Sequence, residues 1–235
     1  GVMGTSIATP FVTALAAQIL SWGKNNSVYG MFNYLHGKPQ LLKAILKTSS
    51  CNRLNPSKSV YEIGEGGISG QIALKILNDA RDKYPENLYV YHMDVNPSYN
   101  YVLTDFDSNN FYKWNQEGRP LMQCITVNPL ETIRVSYSWE ELVSHSSNSS
   151  NSYLGHVDFD IYLYYQSQIP TSGPPTGLPI TTSSKWDDTT ETISWKNLSS
   201  LPQSVCIHFY RYNAPSGINS VRVGWAIAKI LDQCY

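Results

Sequence analysis

The residues Gly4-Thr5-Ser6-Ile7-Ala8-Thr9-Pro10 open an almost wholly apolar segment that continues as far as Trp22. No charged residue precedes Lys24, and apolar side chains occupy most positions between 7 and 20. A helix of this composition has no wide polar face and is normally covered on every side within a domain. Pro10 is compatible with a helix only near its start, where few backbone N–H groups have an intrahelical acceptor. The stretch therefore predicts a buried central helix with the Ser6 hydroxyl at its N-terminus.

Residues 4–10 resemble the nucleophile motif of the subtilisin-like serine proteases, Gly-Thr-Ser-x-Ala-x-Pro, which opens the buried central helix of that family. The resemblance implies that Ser6 is the catalytic nucleophile and that its backbone N–H is one donor of the oxyanion hole. It also implies polypeptide substrates and no required cofactor. The alternative is that a serine ahead of a helix serves only as an N-cap.

The other catalytic groups of the family, an Asp, a His and an Asn that completes the oxyanion hole, lie upstream of the serine. Only five residues precede Ser6 here. We therefore expect the chain to be the C-terminal portion of a protease, to need a missing N-terminal catalytic portion as its partner, and to be inactive alone. No histidine is assigned a catalytic role, because all five follow the serine: His36, His92, His145, His156 and His208.

The pattern Gly4-x-Ser6-x-Ala8 also fits the nucleophile elbow of α/β-hydrolases, in which the Asp and His follow the serine. That interpretation would place both catalytic partners within this chain. However, the elbow fold continues as alternating strands and helices, whereas residues 87–235 have the pattern of strands alone. Pro10 has no role in an elbow. The subtilisin-like interpretation is therefore favoured.

Two further helices are predicted before residue 83. One begins at Pro39 and continues to Lys47, with apolar residues at amphipathic spacing. The other follows Gly64-Glu65-Gly66-Gly67-Ile68, which resembles the Gly-x-Gly turn before the closing helix of subtilisin-like catalytic domains. Since this resemblance extends to about Ala80, residues 1–83 are interpreted as the C-terminal part of such an α/β catalytic domain.

From residue 87 the apolar pattern changes to a strict alternation, which is typical of half-buried strands. Strands are predicted at 87–95, 121–127, 132–139, 157–165, 191–196, 204–212 and 221–227. Short alternating strands with polar loops and no helical run indicate an antiparallel sandwich or jelly roll. Residues 84–235 are therefore predicted to form a β-sandwich, similar to the one appended to some larger subtilisin-like enzymes. The fold class is mainly β with an α-helical N-terminal part.

Asp158 and Asp160 lie two residues apart on a predicted strand, so they point to the same face. With Asp187, Asp188 or Glu191 they could supply the oxygen ligands of a structural calcium ion, which takes roughly six to eight. The alternative is a solvated polar face of a half-buried strand, and no Gly-rich calcium loop is present. The sequence leaves both interpretations open.

A function of a different class is also compatible with the β half, namely a sandwich that binds or stabilises protein or glycan without catalysis of its own. Trp114, Trp186 and Tyr153 fall in predicted loops and could form a stacking surface. The fold by itself does not decide between these functions.

The composition of the chain limits the classes of partner that it can bind. Its formal net charge is −1 and it has no basic run, which argues against a nucleic-acid partner. No apolar run reaches the ~18 residues of a membrane span. The apolar central helix, if nothing covers it, could instead associate with a second copy.

Four widely spaced cysteines form no C-x-x-C pair, which argues against zinc. They permit either free thiols or two disulfides in any of three connectivities: Cys51, Cys124, Cys206 and Cys234. Three glycosylation-type sequons begin at Asn25, Asn148 and Asn197. Together these features indicate a secretory route, with an extracellular or vacuolar/lysosomal location.

Overall fold

Three α-helices occur in the part of the chain that the computed structural model describes. The described residues are 5–26, 35–51, 66–82, 90–95, 111–112, 122–140, 143–144, 152–153, 157–170, 175–184, 188–213 and 221–231. The helices are α1 Thr5–Asn25, α2 Pro39–Thr48 and α3 Gly70–Asp82, and Gln166–Gln168 form a short 3₁₀ turn. All three helices stand where the apolar spacing predicts them.

Helix α2 illustrates why the sequence forms these elements. Pro39 stands at its first turn, where a missing N–H costs no helical hydrogen bond. Leu41, Ala44, Ile45 and Thr48 follow at helical spacing and are all buried, so one face of the helix packs inward.

The strands follow the predicted alternation, with short additional strands between the long ones. They are β1 Ser50–Cys51, β2 Gly67–Ile68, β3 Val90–Val95, β4 Phe111–Tyr112, β5 Met122–Val127, β6 Glu131–Trp139, β7 Val143–Ser144, β8 Ser152–Tyr153, β9 Asp158–Tyr165, β10 Thr181–Ser183, β11 Thr190–Lys196, β12 Gln203–Asn213 and β13 Val221–Leu231. Each of the seven predicted strands corresponds to one of these.

The long strands form two antiparallel sheets. The five-stranded sheet has the order β10-β9-β12-β5-β4, and the four-stranded sheet has the order β11-β6-β13-β3. Their alternate residues interdigitate in one core that contains Tyr137, Trp139, Phe159, Phe209 and Trp225. The Tyr137 ring stands edge-on to Phe159, with ring centroids 5.5 Å apart. The prediction of a mainly β fold with two packed antiparallel sheets is therefore confirmed.

The helices form a third layer on the outer face of the four-stranded sheet. Helix α2 packs on β13 and β6, and α3 packs on β13. Ala226 and Ala228 of β13 share a buried cluster with the apolar faces of the helices. Thr48 of α2 also donates a hydrogen bond of 3.0 Å to the Ala226 carbonyl. The helical segment and the sandwich thus share one buried interface, and the predicted boundary at 83/84 lies outside the described residues.

Gly224 sets how closely α2 approaches the sheet. A Cβ atom at this position would lie 2.5 Å from the Leu41 Cα and 2.7 Å from the Gln40 carbonyl carbon. Both are backbone atoms, so neither can rotate away. On the β6 side of this point the outer face of the sheet carries the small side chains of Ser136 and Ser138, both of which are buried. The absence of a side chain at Gly224 therefore lets helix and sheet backbones come into contact.

Helix α1 differs from its predicted environment. A stripe of Leu15, Ile19 and Trp22 packs into the helical cluster, but residues 8–14 are exposed, including Phe11 at 74%. The expectation of a helix covered on every side is therefore wrong for the described part of the chain, because only one side of α1 faces a neighbour. None of the described helices is long and apolar enough to span a membrane.

Replacing Gly224 with Ala should destabilise the fold, because the new methyl group meets immovable backbone of α2. Overpacking of this kind costs about 1–3 kcal/mol or more. Gly70→Ala is the matched control, since its methyl would lie at an ordinary 3.6 Å from Leu15 Cδ1. The control should be neutral or gain up to about 1 kcal/mol. Urea unfolding measures both, and equal midpoints for the two variants would contradict the close contact.

Candidate functional site

Ser6 is the second residue of α1, as the nucleophile motif predicts. Its side chain lies outside the described residues, but its backbone is placed in the first helical turn. The N–H groups of that turn have no intrahelical acceptor, and the helix dipole favours negative charge there. In addition, Pro10 has no N–H, so the Ser6 carbonyl receives no hydrogen bond from the next turn. The start of α1 is therefore a backbone donor site next to a serine.

The two predicted calcium ligands, Asp158 and Asp160, share the outer face of the five-stranded sheet, as expected from their spacing. However, they are only 3% and 2% exposed, so this face is not the solvated polar face of the alternative interpretation. Asp160 accepts a hydrogen bond of 2.9 Å from the Tyr162 hydroxyl. Burial raises the pKa of Asp160, and this hydrogen bond opposes the rise.

Glu191, another acidic candidate, belongs to β11 of the four-stranded sheet and points into the sandwich. It stands opposite Tyr137 in the register of β11 and β6, and it accepts a hydrogen bond from Ser183 inside the sandwich. The five-stranded sheet, with Asp160 on its outer face, therefore separates Asp160 from Glu191. Within the described segments no three His, Cys, Asp or Glu side chains are placed to hold a metal ion, and Asp187 lies outside those segments.

Four aromatic rings form a continuous surface beside Asp160, on the outer face of the five-stranded sheet. We call this surface the tyrosine platform, and it consists of Tyr162 and Tyr164 of β9 with His208 and Tyr210 of β12. His208 lies directly opposite Tyr162 in the strand register, and Tyr210 lies opposite Asp160. The ring centroids of Tyr162 and Tyr164 are 6.3 Å apart and those of Tyr162 and Tyr210 are 6.1 Å apart. These rings are neighbours because side chains on one face of adjacent strands meet.

The platform carries no positive charge at neutral pH. His208 is 8% exposed, and burial lowers its pKa to about 4, so its imidazole is neutral at pH 7. Burial and the Asp160 carboxylate raise the pKa of Tyr162, so this phenol stays protonated. Tyr210 is 40% exposed and Tyr162 and Tyr164 are half-buried. The result is an accessible aromatic surface beside a buried carboxylate.

Sequence reasoning missed this surface, although a signal was present. The positions of β9 and β12 that alternate with core residues carry tyrosine and histidine, where a solvated face would have small or charged side chains. The aromatic residues proposed from the sequence are different ones. Trp114 and Trp186 are outside the described residues, and Tyr153 is described only as backbone of β8.

A disulfide joins Cys124 and Cys206, which are directly opposed in the register of β5 and β12. It is compatible with an extracellular or secreted protein. Asn197, in contrast, is not an accessible glycosylation site in this fold. Its side chain is 1% exposed, and its amide nitrogen donates to the carbonyls of Val127 and Leu201. This sequon therefore gives no support to a secretory route.

The sequence matches no protein-family model and no curated protein. Among solved structures, the chain is similar to PliG of Aeromonas hydrophila, a periplasmic lysozyme inhibitor of g-type lysozyme. The identity is 9%, the match covers 62% of this chain and 91% of that chain, and the TM-score is 0.29. A de novo designed double-stranded β-helix shows 8% identity, coverage of 59% and 97%, and a TM-score of 0.19. With TM-scores this low, neither similarity bears on the fold or the function of this chain.

Acid should destabilise the fold through His208. Its pKa is about 4 when folded and about 6.5 when unfolded, so the unfolded chain binds the proton more tightly. The contribution of His208 to stability is therefore complete above about pH 6.5 and is lost as the pH falls towards 4. Between pH 7 and pH 5 the loss is about 2 kcal/mol.

The matched comparison is His208→Gln, which cannot titrate. Asp160, whose raised pKa acts in the opposite direction, is present in both proteins. Urea unfolding at pH 7 and pH 5 should show a larger loss of stability for the natural chain than for the variant. Equal losses of stability in the two proteins would mean that burial does not lower the pKa of His208.

Proposed function

We propose that this chain is the C-terminal part of a subtilisin-like serine endopeptidase, with Ser6 as its nucleophile. The observation that carries the proposal is the position of the Gly-Thr-Ser-x-Ala-x-Pro motif at the start of a 21-residue helix. A serine at the N-terminus of a long apolar helix, followed by proline four residues later, is the arrangement that the family motif requires. Polypeptides are the substrate class, and the chemistry needs no cofactor.

The local electrostatics of α1 suit this role. In acyl transfer the nucleophile attacks a carbonyl, and negative charge develops on the carbonyl oxygen. The Ser6 N–H, which has no intrahelical acceptor in the first turn, and the positive end of the helix dipole would stabilise that charge at the place where it forms. A histidine from outside this chain would take the serine proton, an aspartate would orient that histidine and stabilise its positive charge, and an asparagine would supply the second oxyanion donor.

The exposed half of α1 is consistent with such a division of the catalytic groups. Phe11, on the N-terminal half of the helix, is 74% exposed. An exposed apolar surface of this kind is typical of a site that a partner covers. A catalytic portion that brings the histidine and aspartate to Ser6 would cover the same half of the helix.

Substrate specificity is expected to be broad, with a preference for apolar side chains. The segment next to the nucleophile, residues 1–5, carries no charge and no large aromatic side chain. A pocket selective for basic or acidic residues needs an opposite charge nearby. Cleavage profiling of a peptide library with the natural polypeptide that contains this chain tests this, and a strict requirement for Arg or Lys would contradict it.

A fluorophosphonate probe tests the role of Ser6 directly. The Oγ of an activated serine displaces fluoride from the phosphorus and forms a stable ester, whereas ordinary serines do not react. In the natural polypeptide that contains residues 1–235, the probe should be found on the peptide with Ser6. Ser6→Ala should abolish the adduct and lower turnover by about 10⁶, the size of the loss when the triad serine is removed from subtilisin itself.

Ser21→Ala is the matched control, because Ser21 is an exposed serine of the same helix. It should leave labelling unchanged. Residues 1–235 alone should not be labelled, because the histidine of the triad is missing. Labelling of the isolated chain that disappears in Ser6→Ala would favour the hydrolase elbow instead. An adduct on any other serine of the natural polypeptide would refute the assignment.

A further inference from the structure

The tyrosine platform is unrelated to the Ser6 site, since it lies on the outer face of the five-stranded sheet while the helices cover the four-stranded sheet. Its rings are in mutual contact, and its outermost ring, Tyr210, is 40% exposed. A sheet needs no aromatic residues on a face that does not enter the core. These side chains therefore call for a ligand whose chemistry the platform can recognise.

The charges of the platform are complementary to a cation. The faces of aromatic rings carry partial negative charge and attract cations at about 6 Å. Tyr162 donates its hydroxyl hydrogen to the Asp160 carboxylate, which makes its ring more electron-rich. No described Lys or Arg forms an ion pair with Asp160, since the ion pairs among the described residues involve Asp79 and Asp82. With His208 neutral, nothing on the platform opposes a bound positive charge.

The shape of the platform selects among cations. The rings of Tyr162 and Tyr164 are 27° from parallel, whereas the Tyr210 ring stands at 77° to that of Tyr162. A planar guanidinium stacks on such rings and is weakly hydrated, whereas an ammonium group is compact and strongly hydrated. The spacing also fits a peptide, because the ring centroids of Tyr162 and Tyr164 are 6.3 Å apart. Alternate side chains of an extended strand are separated by about 6.6 Å.

We propose that the tyrosine platform is a binding surface for arginine side chains of an extended polypeptide. Two arginines at alternate positions would stack on the rings of Tyr162 and Tyr164, or of Tyr162 and Tyr210. The buried Asp160 carboxylate supplies the negative field behind those rings. The surface would hold a basic segment of a polypeptide partner away from the start of α1.

The test uses the peptide acetyl-Gly-Arg-Gly-Arg-Gly-amide and the whole 235-residue chain. Binding is followed by NMR shifts of the tyrosine ring protons. A citrulline version has the same shape without the charge, and a lysine version keeps the charge without the planar group. The arginine peptide should bind at least tenfold more tightly than the citrulline peptide and about threefold more tightly than the lysine peptide. Since the net charge of the chain is only −1, general attraction does not account for such a difference.

Single substitutions test whether the arginine peptide binds to the platform. Tyr210→Leu and Asp160→Asn should each weaken binding at least fivefold, while Tyr165→Leu should leave it unchanged. Tyr165 is the matched control because it is 38% exposed on the same strand, but its ring stands edge-on to Trp195 and is not part of the platform. If circular dichroism shows that Asp160→Asn does not fold, the Tyr210→Leu variant alone decides the test. Equal binding of the arginine and citrulline peptides, no binding of either, or full affinity in Tyr210→Leu overturns the proposal.

Discussion

The contact between α2 and β13 at Gly224 is the constraint on which the rest of the structure depends. Because no Cβ stands at this position, the backbone of the helix reaches the backbone of the sheet, and Gln40 and Leu41 fill the space of a side chain. With α2 in this position, Thr48 can form its buried hydrogen bond to the Ala226 carbonyl. It also places α2 in the same cluster as α3 and the C-terminal half of α1. The C-terminal half of α1 is thus held on the sandwich through the packing of α2 and α3.

Polar contacts at the edges of this interface also hold the helical segment on the sandwich. Gln40 donates to the Glu140 carboxylate at 3.1 Å, and Lys43 donates to the Thr189 hydroxyl at 2.8 Å. Arg134, on the face of β6 that lies under the helix, donates to the hydroxyl of Ser50. Each of these bonds joins a residue of the helical segment to one of the sandwich. These hydrogen bonds offset part of the cost of burying polar groups at the interface.

The secondary structure could be predicted from the sequence because the period of the apolar residues changes clearly near residue 87. The docking of the helices could not be predicted in the same way. Ser136, Ser138, Gly224 and Ala226 occupy the alternate positions of their strands, and small or polar residues there are also typical of a solvated face. Only the three-dimensional packing shows that helix backbone, and not water, covers them.

The candidate sites also differ in how far the sequence alone predicts them. A short motif predicts the position of Ser6 at a helix start, since capping and helix propensity are local. The tyrosine platform depends on the pairing of β9 with β12, which are 37 residues apart from the end of one to the start of the other. That register brings His208 opposite Tyr162, and a single strand pattern cannot reveal it. The same applies to the disulfide, because the strand register selects Cys124 and Cys206 from the connectivities that the sequence leaves open.

A thermal melt followed by two signals tests most directly whether the helices and the sandwich share one core. Far-UV circular dichroism at about 222 nm reports the helices, and near-UV dichroism reports the packed aromatic residues of the sandwich. Because α2 is seated on β13, both signals should be lost in one transition with a common midpoint. Loss of the helical signal at a temperature well below the aromatic transition would contradict a shared core. It would show that α1 to α3 unfold as an independent unit.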